Sequence, residues 1–194
     1  GFKTSFSRFG LPMTLPAASC WVSKTSRNEA NFGEYDPDIM SVAKGIISGY
    51  MPLSATIMSS KIADAFEPKT TFLHDYTFGG HPAACAAALV NIDIIEREKL
   101  VENSSVVGKY LLEKLQALSK HPMVGAVRGI GLFCSVEYVK DKKSKEPFDN
   151  AVTGRLRSKL MAQGLISRTR DSSTSFLPPL VFTKSDADEA VDIL

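Results

Sequence analysis

A chain of 194 residues that is 44% hydrophobic and 23% charged has the make-up of an ordinary globular protein, long enough for one good core or two small ones. Its formal net charge of +2 points to neither nucleic acid nor a membrane surface as the main partner, and no run of about eighteen apolar residues offers a membrane span. Cys20, Cys85 and Cys134 are odd in number and far apart, which fits free thiols in a reducing compartment better than a disulfide framework, and no Cys–His cluster has metal-ligand spacing.

Residues 1–30 hold Lys3, Arg8, Lys24 and Arg27 against Glu29 alone, among many Ser and Thr. That is the composition of an organelle transit peptide, which would send the protein to the mitochondrion. The other reading is a poorly ordered or mis-joined end on a cytoplasmic protein. It is preferred, because residue 36 would be an abrupt start for a mature fold.

"DIMSVAK", residues 38–44, is short, apolar and β-tolerant, and predicts a strand ending at Lys44. Gly45, Gly49 and Pro52 then enforce a loop, after which "LSATIMSS" reads as a second strand and "KIADAF" as a short helix. From Ala83 to Glu96 the chain is apolar almost all round, the mark of a buried helix. Its alanines keep one surface thin enough for another backbone to approach, and Pro82 suits its first turn. Leu100, Val107, Leu111, Leu115 and Leu118 make the apolar stripe of a further helix.

In "GIGLFCSVEYV", Ile130, Leu132, Cys134, Val136 and Tyr138 alternate along one face of a predicted strand. "KDKKSKEPF" reads as a solvated turn, followed by a helix from Val152 to Gln163 and a strand at "LISR". Thr183 with Asp186 three residues on predicts the N-cap of a last helix. Helices alternating with strands argue for an α/β fold, and there is no internal repeat.

Three places can carry chemistry. Apart from Lys44, the only charge between residues 37 and 60 is Asp38. A lysine so placed either snorkels to water or is held inside as a nucleophilic amine, beside a glycine loop with room for a planar ligand. Thr77 and Gly79–Gly80 precede a helix N-terminus, where a hydroxyl and free N–H groups suit a phosphate; a plain glycine turn capped by Thr77 is the alternative. Arg168 ends a short strand with Arg170 and Asp171 close by, and its fork matches a carboxylate, although a surface arginine is the simpler reading. His74, His81 and His121 show no triad or metal spacing and read as structural or loop residues, and Glu137 needs no function.

The order of these stretches is more informative than any one. "PDIMSVAKGIISGYMPLSA", "YTFGGHPAACAAAL", "HPMVGAVRGIGL", "GLISR" and "PPLVFT" together resemble the C-terminal half of class III pyridoxal-phosphate aminotransferases, over Asp36 to Leu194. The resemblance implies fold type I, the aspartate aminotransferase fold. It makes residues 36–97 the C-terminal part of the large cofactor-binding domain and 98–194 the small domain, with 1–35 outside the match. It also implies that Lys44 forms a Schiff base with pyridoxal 5'-phosphate and then shuttles a proton. Thr77 would bind the cofactor phosphate of the opposite subunit, which implies a homodimer with shared active sites. Arg168 would receive a substrate carboxylate. The implied reaction is ping-pong transfer of an amino group from an ω-amino acid or amine to a keto acid such as pyruvate. "TFGGHP" together with Arg168 is most similar to ω-amino acid–pyruvate aminotransferases, including those acting on 4-aminobutyrate or β-alanine.

The chain departs from the family's pattern upstream. Members are more than twice as long, and carry before the lysine an acidic "DE" motif whose aspartate pairs with the pyridine nitrogen, followed by a "TGFGR" turn. Residues 1–35 hold neither, nor the Gly-Ser phosphate loop and ring-stacking aromatic. Without that carboxylate the carbanion step slows greatly. The "DIMSVAK" strand is also expected to lack neighbours, since most of the family's parallel sheet is missing. Two readings follow: part of a class III aminotransferase whose activity belongs to the complete enzyme, or a non-catalytic truncated piece. A pyridoxal-phosphate aminomutase is the enzyme alternative.

Overall fold

The computed structural model describes residues 38–66 and 77–194; the readings placed on residues 1–37, and His74, lie outside these. The chain divides into two compact units, Gly1–Glu98 and Lys99–Leu194.

In the first unit the apolar run after Asp38 forms β1, Ile39–Ala43, which turns back through ten loop residues to pair antiparallel with β2, Ser54–Met58. The register runs from Ile39 opposite Met58 to Ala43 opposite Ser54. β1 therefore has a strand neighbour, contrary to the expectation that it would lack one. A one-turn helix, α1 (Ser60–Ala63), follows where "KIADAF" predicts it. Helix α2, Pro82–Arg97, starts at the predicted proline. It buries a single stripe, Ala84, Ala88, Ile92 and Ile95, while Val90 is 60% exposed. Among the described residues it is thus covered on one side, not all round. The stripe's small end receives Ile47 from the loop, only 1% exposed, with Met51 and Leu53 packed beside it.

The second unit opens with α3, Leu100–Ala117, whose buried residues include the predicted Leu100, Val107, Leu111 and Leu115; Leu118 is half-buried at its end. Four antiparallel strands follow, β3 (Val124–Ile130), β4 (Phe133–Tyr138), β5 (Arg168–Arg170) and β6 (Ser173–Phe176), in the order β3-β4-β6-β5. Two corrections belong here. The strand expected to run unbroken from Ile130 is cut by Gly131 at φ +52, so Ile130 closes β3 and pairs back onto Phe133. Leu132, Cys134 and Val136 keep the buried alternation, and burial pushes the Cys134 thiol up to about 12. The strand predicted at "LISR" begins only at Arg168, because Asp171 and Ser172, at φ +49 and +57, make a tight two-residue hairpin into β6.

Helix α4, Asn150–Ala162, is capped by Asp149, whose Oδ1 accepts the Val152 N–H at 2.9 Å. Helix α5, Lys184–Ile193, has the predicted cap in full: Thr183 accepts from the Asp186 N–H, and the Asp186 carboxylate accepts from the Thr183 N–H. Leu111 and Leu115 of α3, Ala187 and Ala190 of α5, and Val124, Cys134, Val136 and Phe176 of the sheet form one core. Helices therefore cover one face of the sheet, and the other carries its charged residues, Arg128, Glu137, Arg168 and Arg170. Among the described residues no helix is long and apolar enough to cross a membrane, and no cluster of His, Cys, Asp or Glu is arranged to hold a metal ion.

Two measurable consequences follow. Gly108 of α3 lies against the Gly131 backbone, where an added methyl would fall on the carbonyl. Gly108→Ala should therefore destabilise by about 1–3 kcal/mol through overpacking, although alanine is intrinsically the better helix residue. A lower denaturant midpoint in the purified chain would show it; a higher one would contradict the close approach. Asp186 is held below the usual carboxylate range by Thr183, and Asp188 by Lys114 and Tyr110. A carboxylate depressed on folding stabilises above its unfolded value, near 4, and loses that contribution as pH falls through the lower folded value. Amide protection in α5 should accordingly drop on acidification before that of the α3 core does.

Candidate active site

Lys44 stands where β1 ends. Ala43 is still extended, at φ −158, and Lys44 turns to φ +57, a left-handed conformation uncommon for a residue with a side chain. A single 3-10 turn, Lys44–Ile46, follows, closed by the Ile47 N–H donating to the Lys44 carbonyl at 3.1 Å. Asn91 of α2 holds this turn. Its Nδ2 donates to the carbonyls of Gly45 (2.9 Å) and Ile46 (3.1 Å), while its Oδ1 accepts from the Ser48 hydroxyl (2.7 Å). The Lys44 side chain is exposed, and among the described residues no hydrogen bond or ion pair engages its ammonium. The backbone is thus tied on the C-terminal side of Lys44 while its amine stays uncommitted.

Thr77 is exposed in the turn before α2, with Phe78, Gly79 and Gly80. Gly80 takes φ +65, and the His81 N–H closes the turn on the Phe78 carbonyl at 3.3 Å. His81 occupies the N-cap of α2 without capping it through its side chain, and the first turn carries no acidic residue. The helix therefore begins with free N–H groups and an uncompensated positive end, a setting that accepts an anion. Among the described residues, the His81 Nδ1 beside it is buried without a hydrogen-bond partner.

Arg168 opens β5 in the second unit, opposite Ser175 of β6. It is exposed, and among the described residues no carboxylate pairs with it. Its neighbours on the polar face are committed: Arg128 donates to Glu137 at 2.8 Å and Arg170 to Asp171 at 2.6 Å. Lys44 and Thr77 thus belong to one unit and Arg168 to the other.

Sequence reasoning passed over Asn91. A signal was available: Asn91 falls three residues after Ala88 and seven after Ala84, on the very stripe that α2 buries. A lone amide on such a stripe must find partners.

The model of the family described as Aminotransferase class-III matches residues 28–194. Among curated proteins, the chain is 44% identical over 160 residues to an uncharacterized aminotransferase of Bacillus subtilis, covering 77% of this chain and 36% of that protein. It is 44% identical to the taurine–pyruvate aminotransferase of Bilophila wadsworthia, covering 80% of this chain and 37% of that one. It is 37% identical to the putrescine–pyruvate aminotransferase of Pseudomonas aeruginosa, covering 81% and 35% respectively. The chain thus spans about a third of the length of the curated relatives it matches. Of solved structures, an (S)-enantioselective omega-transaminase from Thermomicrobium roseum superposes with a TM-score of 0.77 at 40% identity, covering 82% of this chain and 36% of that one. An amine transaminase from an uncultivated Pseudomonas species, in its PLP-bound form, gives 0.76 at 40% identity, covering 81% and 37%.

If Asn91 holds the turn, Asn91→Asp should loosen it selectively, since the carboxylate still accepts from Ser48 but cannot donate to Gly45 and Ile46. A loss of about 1–3 kcal/mol is expected locally. It would be read as at least tenfold faster hydrogen exchange at the Ile47 amide, with the amides of α3 unchanged. Unchanged exchange at Ile47 would rule out this role for Asn91.

Proposed function

We propose a function for this chain from the premise that it belongs to the aminotransferase class-III family: it carries the catalytic lysine of an enzyme that moves an amino group from an ω-amino acid or amine to a keto acid such as pyruvate. The observation that carries the proposal is the Lys44 turn. An amine destined for carbonyl chemistry must be accessible, uncommitted and set on a backbone that does not drift. Lys44 meets all three conditions, through its exposure, its lack of a partner among the described residues, and the Asn91 clamp.

Pyridoxal phosphate, the cofactor of this family, supplies a reactive aldehyde and an electron-withdrawing ring. The residues present fit that group at two points. Lys44 would hold it through Nζ, and the same amine, when free, would accept and return a proton at Nζ. Thr77, with the free N–H groups that begin α2, would hold a phosphate. We assign that phosphate to the partner subunit's site, so that the working enzyme is a homodimer with shared active sites. Arg168 would take the acid group of an ω-amino acid in its bidentate fork. The relatives named for pyruvate support that acceptor here, and those named for taurine and putrescine support a donor whose amine lies at a chain end.

The test is direct. Pyridoxal phosphate and borohydride, added to the purified chain, should modify the tryptic peptide carrying Lys44, and Lys44→Ala should abolish that modification. Labelling spread evenly over surface lysines, or unchanged in the variant, would remove Lys44 from the proposed role.

A further inference from the structure

The open face of the second unit's sheet has a legible charge pattern. Reading across the strands in register, Arg128, Ser135, Ser175 and Arg168 stand in one row. The next row holds Ala126, Glu137, Ser173 and Arg170. Successive residues of a strand alternate faces, so Thr169, 6% exposed, points into the core while Arg168 and Arg170 share the open side. Two residues of strand separate the two arginines by roughly 6.6 Å. Both could reach a ligand's acid group, yet they are not equivalent, for Asp171 occupies Arg170 at 2.6 Å and no described residue occupies Arg168. Glu137 likewise occupies Arg128.

Asp171 is the first residue of the two-residue hairpin, at φ +49, a position that aspartate, asparagine and glycine favour. The Arg170–Asp171 pair is exposed, with side chains 63% and 67% accessible. An ion pair in that setting is worth little as a cross-link. Its influence on a neighbouring site is therefore through charge: it cancels Arg170, as Glu137 cancels Arg128, and leaves Arg168 uncommitted beside them among the described residues.

We propose that Asp171 is a specificity-determining residue, which by neutralising Arg170 restricts the Arg168 site to acid groups of a single negative charge, such as a carboxylate or sulfonate, and against dianions such as a phosphonate. The Ser175 hydroxyl, opposite Arg168, and Ser135, whose Oγ lies 3.4 Å from that of Ser175, offer donors to the remaining oxygens of such a group. The proposal rests on Arg168 receiving the acid group.

The test uses the whole chain and two probes of equal carbon content, methanesulfonate and methylphosphonate, the second above its second ionisation. Binding is followed by NMR of the Arg168 and Arg170 side-chain N–H signals. Wild type should bind the dianion no more than about threefold better than the monoanion. Asp171→Asn, whose new side chain suits the left-handed backbone, frees Arg170. It should raise the dianion preference by about tenfold, as expected for a second positive charge at this distance in a partly solvated site, with methanesulfonate affinity rising less than that of the dianion. Adding Arg170→Gln should cancel the gain. An unaltered ratio in Asp171→Asn, or no saturable response to either anion, overturns the proposal. Methanesulfonate binding that survives Arg168→Ala would instead show that Arg168 is not the acid-binding residue, whatever the Asp171→Asn ratio.

Discussion

One amide side chain organises the turn that follows β1 in the first unit. Asn91 gives both of its donor hydrogens to consecutive carbonyls of the turn after Lys44, and accepts a third bond from Ser48. A turn that starts at φ +57 holds strain that the surroundings must over-determine. Asn91 supplies polar constraint and Ile47, buried against Ala84 and Ala88, supplies apolar constraint. The small side chains of α2 matter because they let the turn approach closely enough for an amide of modest length to reach two carbonyls. Composition, packing and the posture of one amine are thus linked over a few residues.

The elements with strong periodicity were legible from the amino acids. The α3 stripe, the proline that starts α2 and the Thr183–Asp186 capping box all stand where elementary rules put them, since each is decided locally. What escaped was decided by backbone handedness at single residues. Gly131 splits one apparent strand into two, and Asp171–Ser172 turns "RTRDSSTSF" into a hairpin; neither stretch contains the Asn-Gly pair that announces such a turn. The even apolarity of α2 concealed a one-sided burial because alanine is at home on either side of a helix. For the site, the types of Lys44, Thr77 and Arg168 were visible in the order of motifs. Asn91 was not, since its partners are carbonyls 45 and 46 residues earlier, and carbonyls have no letter in the sequence.

The two units treat polar groups in contrasting ways. Around Lys44, backbone polarity is satisfied by a side chain while the amine is left open. On the sheet of the second unit, charge is satisfied by charge, Arg128 with Glu137 and Arg170 with Asp171, so that among the described residues Arg168 differs from its neighbours in having no carboxylate partner. The local bonding explains why Lys44 and Arg168 each stay uncommitted among the described residues.

The buried side of β5 completes this picture. Thr169 and Thr174 share a hydrogen bond of 3.0 Å across the hairpin, Ser167 extends it on one side and the Tyr138 hydroxyl on the other. β5 is only three residues long and lies at the border of the sheet. Sliding it by one position would send both guanidinium groups into an interior built for methyls and rings, and would turn a threonine out to water. The chain of hydroxyls acts as a ratchet pawl against that slide: it rewards one alignment with directional bonds that no shifted alignment can re-form. An orderly row of alcohols on the dry side thereby dictates which cation the wet side displays.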